Sequence, residues 1–159
     1  MLKYLRENGG DDADLIFLPG DLVAHKLPLD EGEVNPEKYK KLEETIAKVT
    51  DLMNEHFGDK IFTPAMGNND PKYHYQPASL ADEPEQHAFV FNEWFNRLGR
   101  NREVFNLEKI KPTFMQGAYY RADVTNQISV LSLNTLYWNT QDVTTDQGNA
   151  PTDQMNWLR

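Results

Sequence analysis

The sequence predicts an α/β fold, because two short apolar runs flank an amphipathic helical pattern. Residues 14–18 carry a continuous apolar run that ends at a Pro-Gly pair, which is typical of a strand buried on both faces. Residues 60–63 form a second such run. Between them, apolar residues recur at intervals of three or four from Tyr39 to Phe57, as on one face of a helix. This order indicates a βαβ unit.

The helix between the two predicted strands carries a start signal and a stop signal. Asn35 is a favourable N-cap residue, and Pro36 occupies the first helical position, where proline is tolerated. Gly58 follows the last apolar residue of the face and is expected to end the helix. The first ten residues predict the end of another helix, stopped by Gly9 and Gly10.

The second half of the chain predicts a further helix and a hairpin. Residues 82–98 place Phe, Trp and Leu side chains on one face of a helix. Residues 113–122 and 127–134 favour two strands. The polar residues between these strands are typical of a turn, so we expect a hairpin.

We expect a single partial catalytic domain over residues 1–159, incomplete at both ends. The chain starts within a predicted helix, and residues 152–159 predict the first turns of another helix, capped by Thr152, that nothing terminates. Its 159 residues fit one domain, and 39% hydrophobic with 11% aromatic residues suffice for a core. Missing segments or another chain are expected to complete the fold.

The composition excludes several kinds of partner and site. Sixteen basic and 25 acidic residues give a formal charge of −9, which disfavours a nucleic-acid backbone as partner. A phosphate ester remains a compatible substrate, because a bound dication reverses the local charge. The chain has no cysteine, which excludes disulfides and thiolate metal sites. No apolar run approaches the ~20 residues needed to span a membrane.

Two glycine-containing motifs follow the two strands of the βαβ unit. Gly20-Asp21 comes after the first strand, and Gly67-Asn68 comes after the second. Ligands of open α/β sheets bind beyond the carboxyl ends of the strands, so we expect Asp21 and Asn68 to converge there. A carboxylate bridges two dications, and an amide oxygen completes the shell of one of them. Two metals held in this way favour in-line phosphoryl displacement.

The same residues also have a structural interpretation. Gly-Asp pairs begin turns at strand ends, and Asn68 and Asn69 are residue types that occupy left-handed turns. Among the remaining histidines, His56 suits a helix end for electrostatic reasons, and His87 is expected on a surface or in a core. His74 is a weak candidate for the mouth of the site.

In this order, the motifs resemble those of the calcineurin-like metallophosphoesterases. Residues 20–26, with the sequence GDLVAHK, are closest to the acid-sphingomyelinase-like branch, and residues 67–68 supply the following Gly-Asn. Residues 128–135 and 153–158 are similar to a later strand and a later helix start of that branch. The resemblance implies the central part of a metallophosphoesterase sandwich, with mixed β-sheets flanked by helices.

The resemblance also implies roles for four residues. Asp21 matches a metal-bridging aspartate, and Asn68 matches an asparagine metal ligand. His25 matches a histidine that contacts the phosphate or assists the leaving group, and is the candidate catalytic residue. Asn69 stands where most members have a proton-donating histidine, and is the candidate substrate-binding residue. A neutral amide donates a hydrogen bond but does not shuttle a proton.

Two divalent metal ions are implied as cofactors, with zinc favoured and manganese or iron as alternatives. The family's Asp-x-His and Gly-His-x-His motifs do not occur in this sequence. Because histidines supply most nitrogen ligands of such sites, we expect the chain alone to be inactive.

We therefore interpret the intact protein as a metal-dependent phosphoric ester hydrolase, namely a sphingomyelinase-like phosphodiesterase. One alternative is an endopolyphosphatase or phosphatase of the same superfamily, whose endopolyphosphatases also have Gly-Asn-Asn-Asp. Another is a non-catalytic remnant that acts as a binding scaffold. The substrate would be a phospholipid, a nucleotide or polyphosphate. The resemblance implies a secreted, lysosomal or vacuolar location, although the chain has no N-glycosylation sequon.

Overall fold

The computed structural model describes residues 1–30, 32–78, 81–142 and 148–159, apart from the side chain of Glu83. The strands are β1 (Leu15–Leu18), β2 (Ile61–Pro64), β3 (Tyr120–Asp123) and β4 (Ser129–Ser132). The helices are α1 (Leu2–Leu5), α2 (Pro36–Phe57), α3 (Glu83–Phe91), α4 (Asn101–Val104), α5 (Leu107–Gly117) and α6 (Ala150–Leu158). Wider turns continue α1 over Arg6–Gly10 and α3 over Asn92–Arg97, and a 3-10 turn spans Thr135–Trp138.

β1 and β2 are parallel neighbours, and α2 connects them, which confirms the predicted βαβ unit. Leu15 lies opposite Ile61, and Leu18 lies opposite Pro64. Both carboxyl ends therefore lie at one edge of the sheet. The prediction that β1 is buried on both faces is wrong for the described part of the chain. Phe17 is 63% exposed, because no described element covers that face of the strand.

α2 begins and ends as its sequence predicts. The side chain of Asn35 accepts a hydrogen bond from the backbone N–H of Lys38 (3.1 Å), and Pro36 is the first helical residue. The helix ends at Phe57, and Gly58 follows it. Its buried face consists of Leu42, Ile46, Thr50, Met53 and Phe57.

The larger core lies between α3, its continuation, α5 and β3. Five of its buried rings, which we call the aromatic core, belong to Phe91, Trp94, Phe95, Phe114 and Tyr120. Phe95 meets Phe114 edge-on with ring centroids 5.3 Å apart, and it meets Tyr120 in the same way at 5.0 Å. The Tyr120 hydroxyl also donates to the carbonyl of Pro64 (2.6 Å), which ties this core to the end of β2.

The prediction of a strand over residues 113–122 is wrong for most of its length. Helix α5 continues to Gly117, and only the last part of that segment belongs to β3. Ile110 and Phe114 are buried four residues apart on one face of α5, and this packing stabilises the helix. Ala118, with a φ of 55°, ends it. The predicted hairpin is confirmed, because β3 and β4 pair in antiparallel fashion.

The last helix begins at Ala150 with Asn149 as its N-cap, so the prediction of Thr152 as the cap is wrong by three residues. Gln154 on α6 is buried, and its side chain exchanges two hydrogen bonds with the backbone of Asn134 (2.7 and 3.0 Å). The Asn134 side chain in turn caps the 3-10 turn Thr135–Trp138 by accepting from the N–H of Leu136 (3.2 Å). Helix α6 thereby fixes the turn beside the candidate site.

The architecture is mixed helix and strand, in the α/β class. The described sheets have two strands each, one parallel and one antiparallel. The full sandwich of mixed sheets stays a prediction. None of the described helices combines the length and the apolar character that a membrane crossing needs.

Candidate active site at the ends of the parallel strands

The loops that follow β1 and β2 touch backbone to backbone at Gly20 and Gly67. Gly20 has a φ of 97°, which favours glycine, and a side chain there would collide with the backbone nitrogen of Gly67. A side chain at Gly67 would collide with both the backbone nitrogen and the carboxylate of Asp21. The close approach therefore requires glycine in both motifs.

A buried carboxylate, that of Asp70, holds the two loops together. Its Oδ2 accepts the backbone N–H groups of Asp21 and Gly67 (2.8 Å each), and its Oδ1 accepts that of Leu22 (2.7 Å). Asp70 is 0% exposed, and burial raises the pKa of its carboxyl, whereas the three N–H donors act in the opposite direction. We call the contact among Gly20, Asp21, Gly67 and Asp70 the loop junction.

The sequence alone did not assign a role to Asp70. Its place in Gly-Asn-Asn-Asp was a signal that a carboxylate follows the candidate ligands. The pattern does not reveal that this carboxylate points inward at backbone donors of both loops. Asp70 is nevertheless the residue that sets the position of Asp21.

The structure brings Asp21 and Asn68 to one cavity of about 400 Å³. Asp21 is exposed and has a φ of 55°. Its Oδ1 accepts the backbone N–H of Asn69 (3.0 Å), whereas its Oδ2 receives no hydrogen bond from the described residues. The other lining residues are Pro19, Met66, Gly67, Thr135, Leu136 and Asn139.

His25 and His74 lie together beside the candidate site. The His25 ring is exposed and meets the His74 ring edge-on, with centroids 4.8 Å apart. His74 stacks on Tyr75 at 3.9 Å, and its Nε2 lies 3.3 Å from Nδ2 of Asn68. Burial and the neighbouring His25 lower the pKa of His74. The structure thus places His74 against a candidate ligand, a position that its sequence pattern indicated only weakly.

Asn69 is buried, with 3% of its surface exposed. Its backbone N–H donates to Asp21, and its side-chain oxygen accepts from Nδ2 of Asn68 (3.3 Å). These contacts lie within the two loops. A direct contact with substrate stays a prediction for Asn69, as does the catalytic role of His25.

The two remaining histidines do not join this cluster. His56 lies in the last turn of α2. His87 is a core residue, and its Nδ1 lies 3.0 Å from the carbonyl of Met115 in α5. Burial lowers the pKa of His87.

The donor set fits part of a divalent-metal site. Asp21 offers a carboxylate oxygen and Asn68 an amide oxygen, and both are hard donors that suit divalent ions. Within the described ranges, no group of three or more His, Cys, Asp or Glu side chains is placed to hold a metal. Water, substrate or other protein groups would have to complete the coordination shell.

Comparisons with known proteins point to one group of enzymes. No model of a known protein family matches the chain. An endopolyphosphatase of Neurospora crassa is 27% identical over 168 residues, which cover 98% of this chain and 21% of the relative. The chain is similar to endopolyphosphatases. The endopolyphosphatase of Cryptococcus neoformans is 29% identical over 98% of this chain, and the endopolyphosphatase of Debaryomyces hansenii is 28% identical over 86% of it.

This chain spans about a fifth of the length of these endopolyphosphatases, namely 21%, 22% and 19%. Their name agrees with the alternative interpretation, an endopolyphosphatase or phosphatase, better than with a sphingomyelinase-like phosphodiesterase. The similarity therefore favours the alternative over the main interpretation.

Proposed function

We propose that this chain supplies part of the catalytic centre of a metal-dependent hydrolase that cuts polyphosphate. One observation carries the proposal: Asp21 and Asn68 border the same cavity in a chain that resembles endopolyphosphatases over 98% of its length. The rest of the centre would come from outside these 159 residues.

The charges of the protein support a role for divalent ions. Polyphosphate is a polyanion, and the chain carries a formal charge of −9, so cations must offset the repulsion between them. We assign Asp21 and Asn68 as ligands of such ions, with zinc as the first choice and manganese or iron as alternatives. When bound, a metal centre of this kind supplies charge neutralisation and an activated water.

The protein holds Asp21 in place before any ligand arrives. The three backbone hydrogen bonds to Asp70 fix the loop, and the Asn69 N–H fixes one carboxylate oxygen. Oδ2 accepts no hydrogen bond from the described residues, so it stays available to a ligand. Such preorganisation lowers the cost of ordering a ligand side chain when the cation binds.

Asn69 supports polyphosphate over a phospholipid as substrate. Cleavage of a lipid phosphodiester expels an alkoxide, which needs a proton from a general acid. Cleavage of a phosphoanhydride expels a phosphate, a much weaker base that leaves without one. An amide at the position where most members have a proton-donating histidine therefore suits anhydride cleavage.

The test uses the complete gene product and follows the shortening of long-chain polyphosphate on gels, with Zn²⁺ or Mn²⁺ added or chelated. We expect chelation to stop cleavage, and Asp21→Asn to slow it by more than about 100-fold. Asp12→Asn removes the same charge from an exposed residue of another loop and should leave the rate unchanged.

Three outcomes would contradict the proposal. Faster hydrolysis of sphingomyelin than of polyphosphate would restore the phosphodiesterase interpretation. Absence of both metal binding and hydrolysis would favour the non-catalytic scaffold. Equal rates of polyphosphate cleavage for Asp21→Asn and Asp12→Asn would show that Asp21 is not part of the catalytic centre.

A further inference from the structure

The backbone around His74 is fixed against the candidate site. The N–H of His74 donates to the carbonyl of Leu29 (3.0 Å), and the N–H of Tyr75 donates to the carbonyl of Asn68 (3.0 Å). The side chain of Gln76 donates to the carbonyl of His74 (3.3 Å). Together with the stacking on Tyr75, these bonds hold the imidazole beside the Asn68 amide.

In the contact between the side chains of Asn68 and His74, the donor and the acceptor follow from the chemistry of the amide. The amide nitrogen of Asn68 only donates, so Nε2 of His74 must be the unprotonated acceptor and the ring proton must lie on Nδ1. The second amide hydrogen of Asn68 is directed to Oδ1 of Asn69. Both hydrogens of the amide are thus engaged.

The amide oxygen of Asn68 is in a different situation. None of the described residues donates a hydrogen bond to it, although Asn68 is half-buried and borders the cavity that it shares with Asp21. A rotation of the amide by half a turn would exchange its oxygen and nitrogen. It would place an acceptor opposite Nε2 and a donor where a cation ligand is needed.

We infer that His74 is a positioning residue that fixes the orientation of the Asn68 amide, so that its oxygen is left to serve as a ligand. The inference rests on the proposed function, because only a bound cation makes use of that oxygen. His74 acts through Asn68 and does not itself contact the ion. Partners of this kind orient metal ligands and affect metal affinity by about 10- to 100-fold.

Two variants separate the effect of the hydrogen bond from the effect of the ring's packing. His74→Gln places an acceptor oxygen close to the position of Nε2 but loses the ring. His74→Phe keeps the stacking on Tyr75 but accepts no hydrogen bond. We expect His74→Phe to weaken Mn²⁺ binding by about 10- to 100-fold and His74→Gln to stay close to the wild type.

Mn²⁺ binding is measured on the complete gene product by the electron paramagnetic resonance of the free ion. His56→Phe makes the same replacement at the end of α2 and should bind as the wild type does. The reverse order, in which His74→Gln binds Mn²⁺ weakly and His74→Phe binds it as the wild type does, would overturn the inference. It would show that the ring of His74 acts through packing and does not orient the Asn68 amide.

The tautomer of His74 gives a second measurement that needs no metal. In ¹⁵N-histidine spectra, the signal lost in His74→Gln belongs to His74, and we expect a protonated Nδ1 with an unprotonated Nε2. A proton on Nε2 would overturn the inference. If the wild type bound no Mn²⁺ and cut no polyphosphate, the proposed function would fail, and the tautomer would still decide the orientation of the amide.

Discussion

The aromatic core and the loop junction use different forces to hold neighbouring segments together. In the core, Phe95 and Phe114 are 0% exposed and meet edge-on, so their contribution depends on buried volume and ring geometry. At the junction, Gly20 and Gly67 bring no side chain at all, and Asp70 joins the loops through three hydrogen bonds. The core should respond to changes of volume, and the junction to changes of hydrogen bonding and backbone clearance.

The largest expected effect is in the core. Phe114 packs against four other rings of the aromatic core, so Phe114→Ala should lower the free energy of unfolding by about 3–5 kcal/mol. Phe114→Leu leaves a smaller cavity and should cost less. Urea denaturation of the purified variants measures both. Equal losses for Ala and Leu would argue that volume does not govern this region.

A smaller effect is expected at the junction from a change that preserves volume. In Asp70→Asn, the amide nitrogen would face a backbone N–H, which leaves at least one buried donor unsatisfied and should cost about 2–3 kcal/mol of unfolding free energy. Mn²⁺ affinity should fall as well, because Asp21 loses its support. Asp12→Asn is the matched control. Unchanged stability and affinity in Asp70→Asn would mean that the junction does not depend on this carboxylate.

The smallest effect is a pH dependence that originates in the core. Burial lowers the pKa of His87, so the unfolded chain binds a proton more readily than the folded one. The contribution of neutral His87 to the free energy of unfolding is therefore fully present above the unfolded pKa of about 6.5, and it is lost as the pH falls below that value. Urea unfolding at pH 8.0 and 5.5 should show this loss, and His87→Gln should reduce it. His56→Gln should retain the wild-type dependence; if it also reduced the loss, the assignment to His87 would be wrong.

Local signals predicted much of the fold. The cap at Asn35, the proline at Pro36 and the stop at Gly58 define α2 without reference to the rest of the chain. The helix that forms in place of the predicted strand runs against local preferences, because Pro112 lies inside it and the aromatic residues of segment 113–122 favour strands. In the structure, burial of Ile110 and Phe114 against the core outweighs these local preferences.

The candidate site was predictable in part for similar reasons. Strand ends followed by glycine place Asp21 and Asn68 at one edge, and in the structure both residues border one cavity. The position of His74 depends on a loop that folds back onto Leu29, and the inward direction of Asp70 depends on donors 48 and 49 positions away. Contacts over such separations leave no periodic pattern in a sequence.

The clearance between Gly20 and Gly67 also bears on protein engineering. The two loops are complementary in shape. A segment grafted from an endopolyphosphatase into one loop would therefore fit the other loop poorly. A chimera should therefore exchange residues 19–22 and 66–70 together, whereas the intervening helix α2 can be retained.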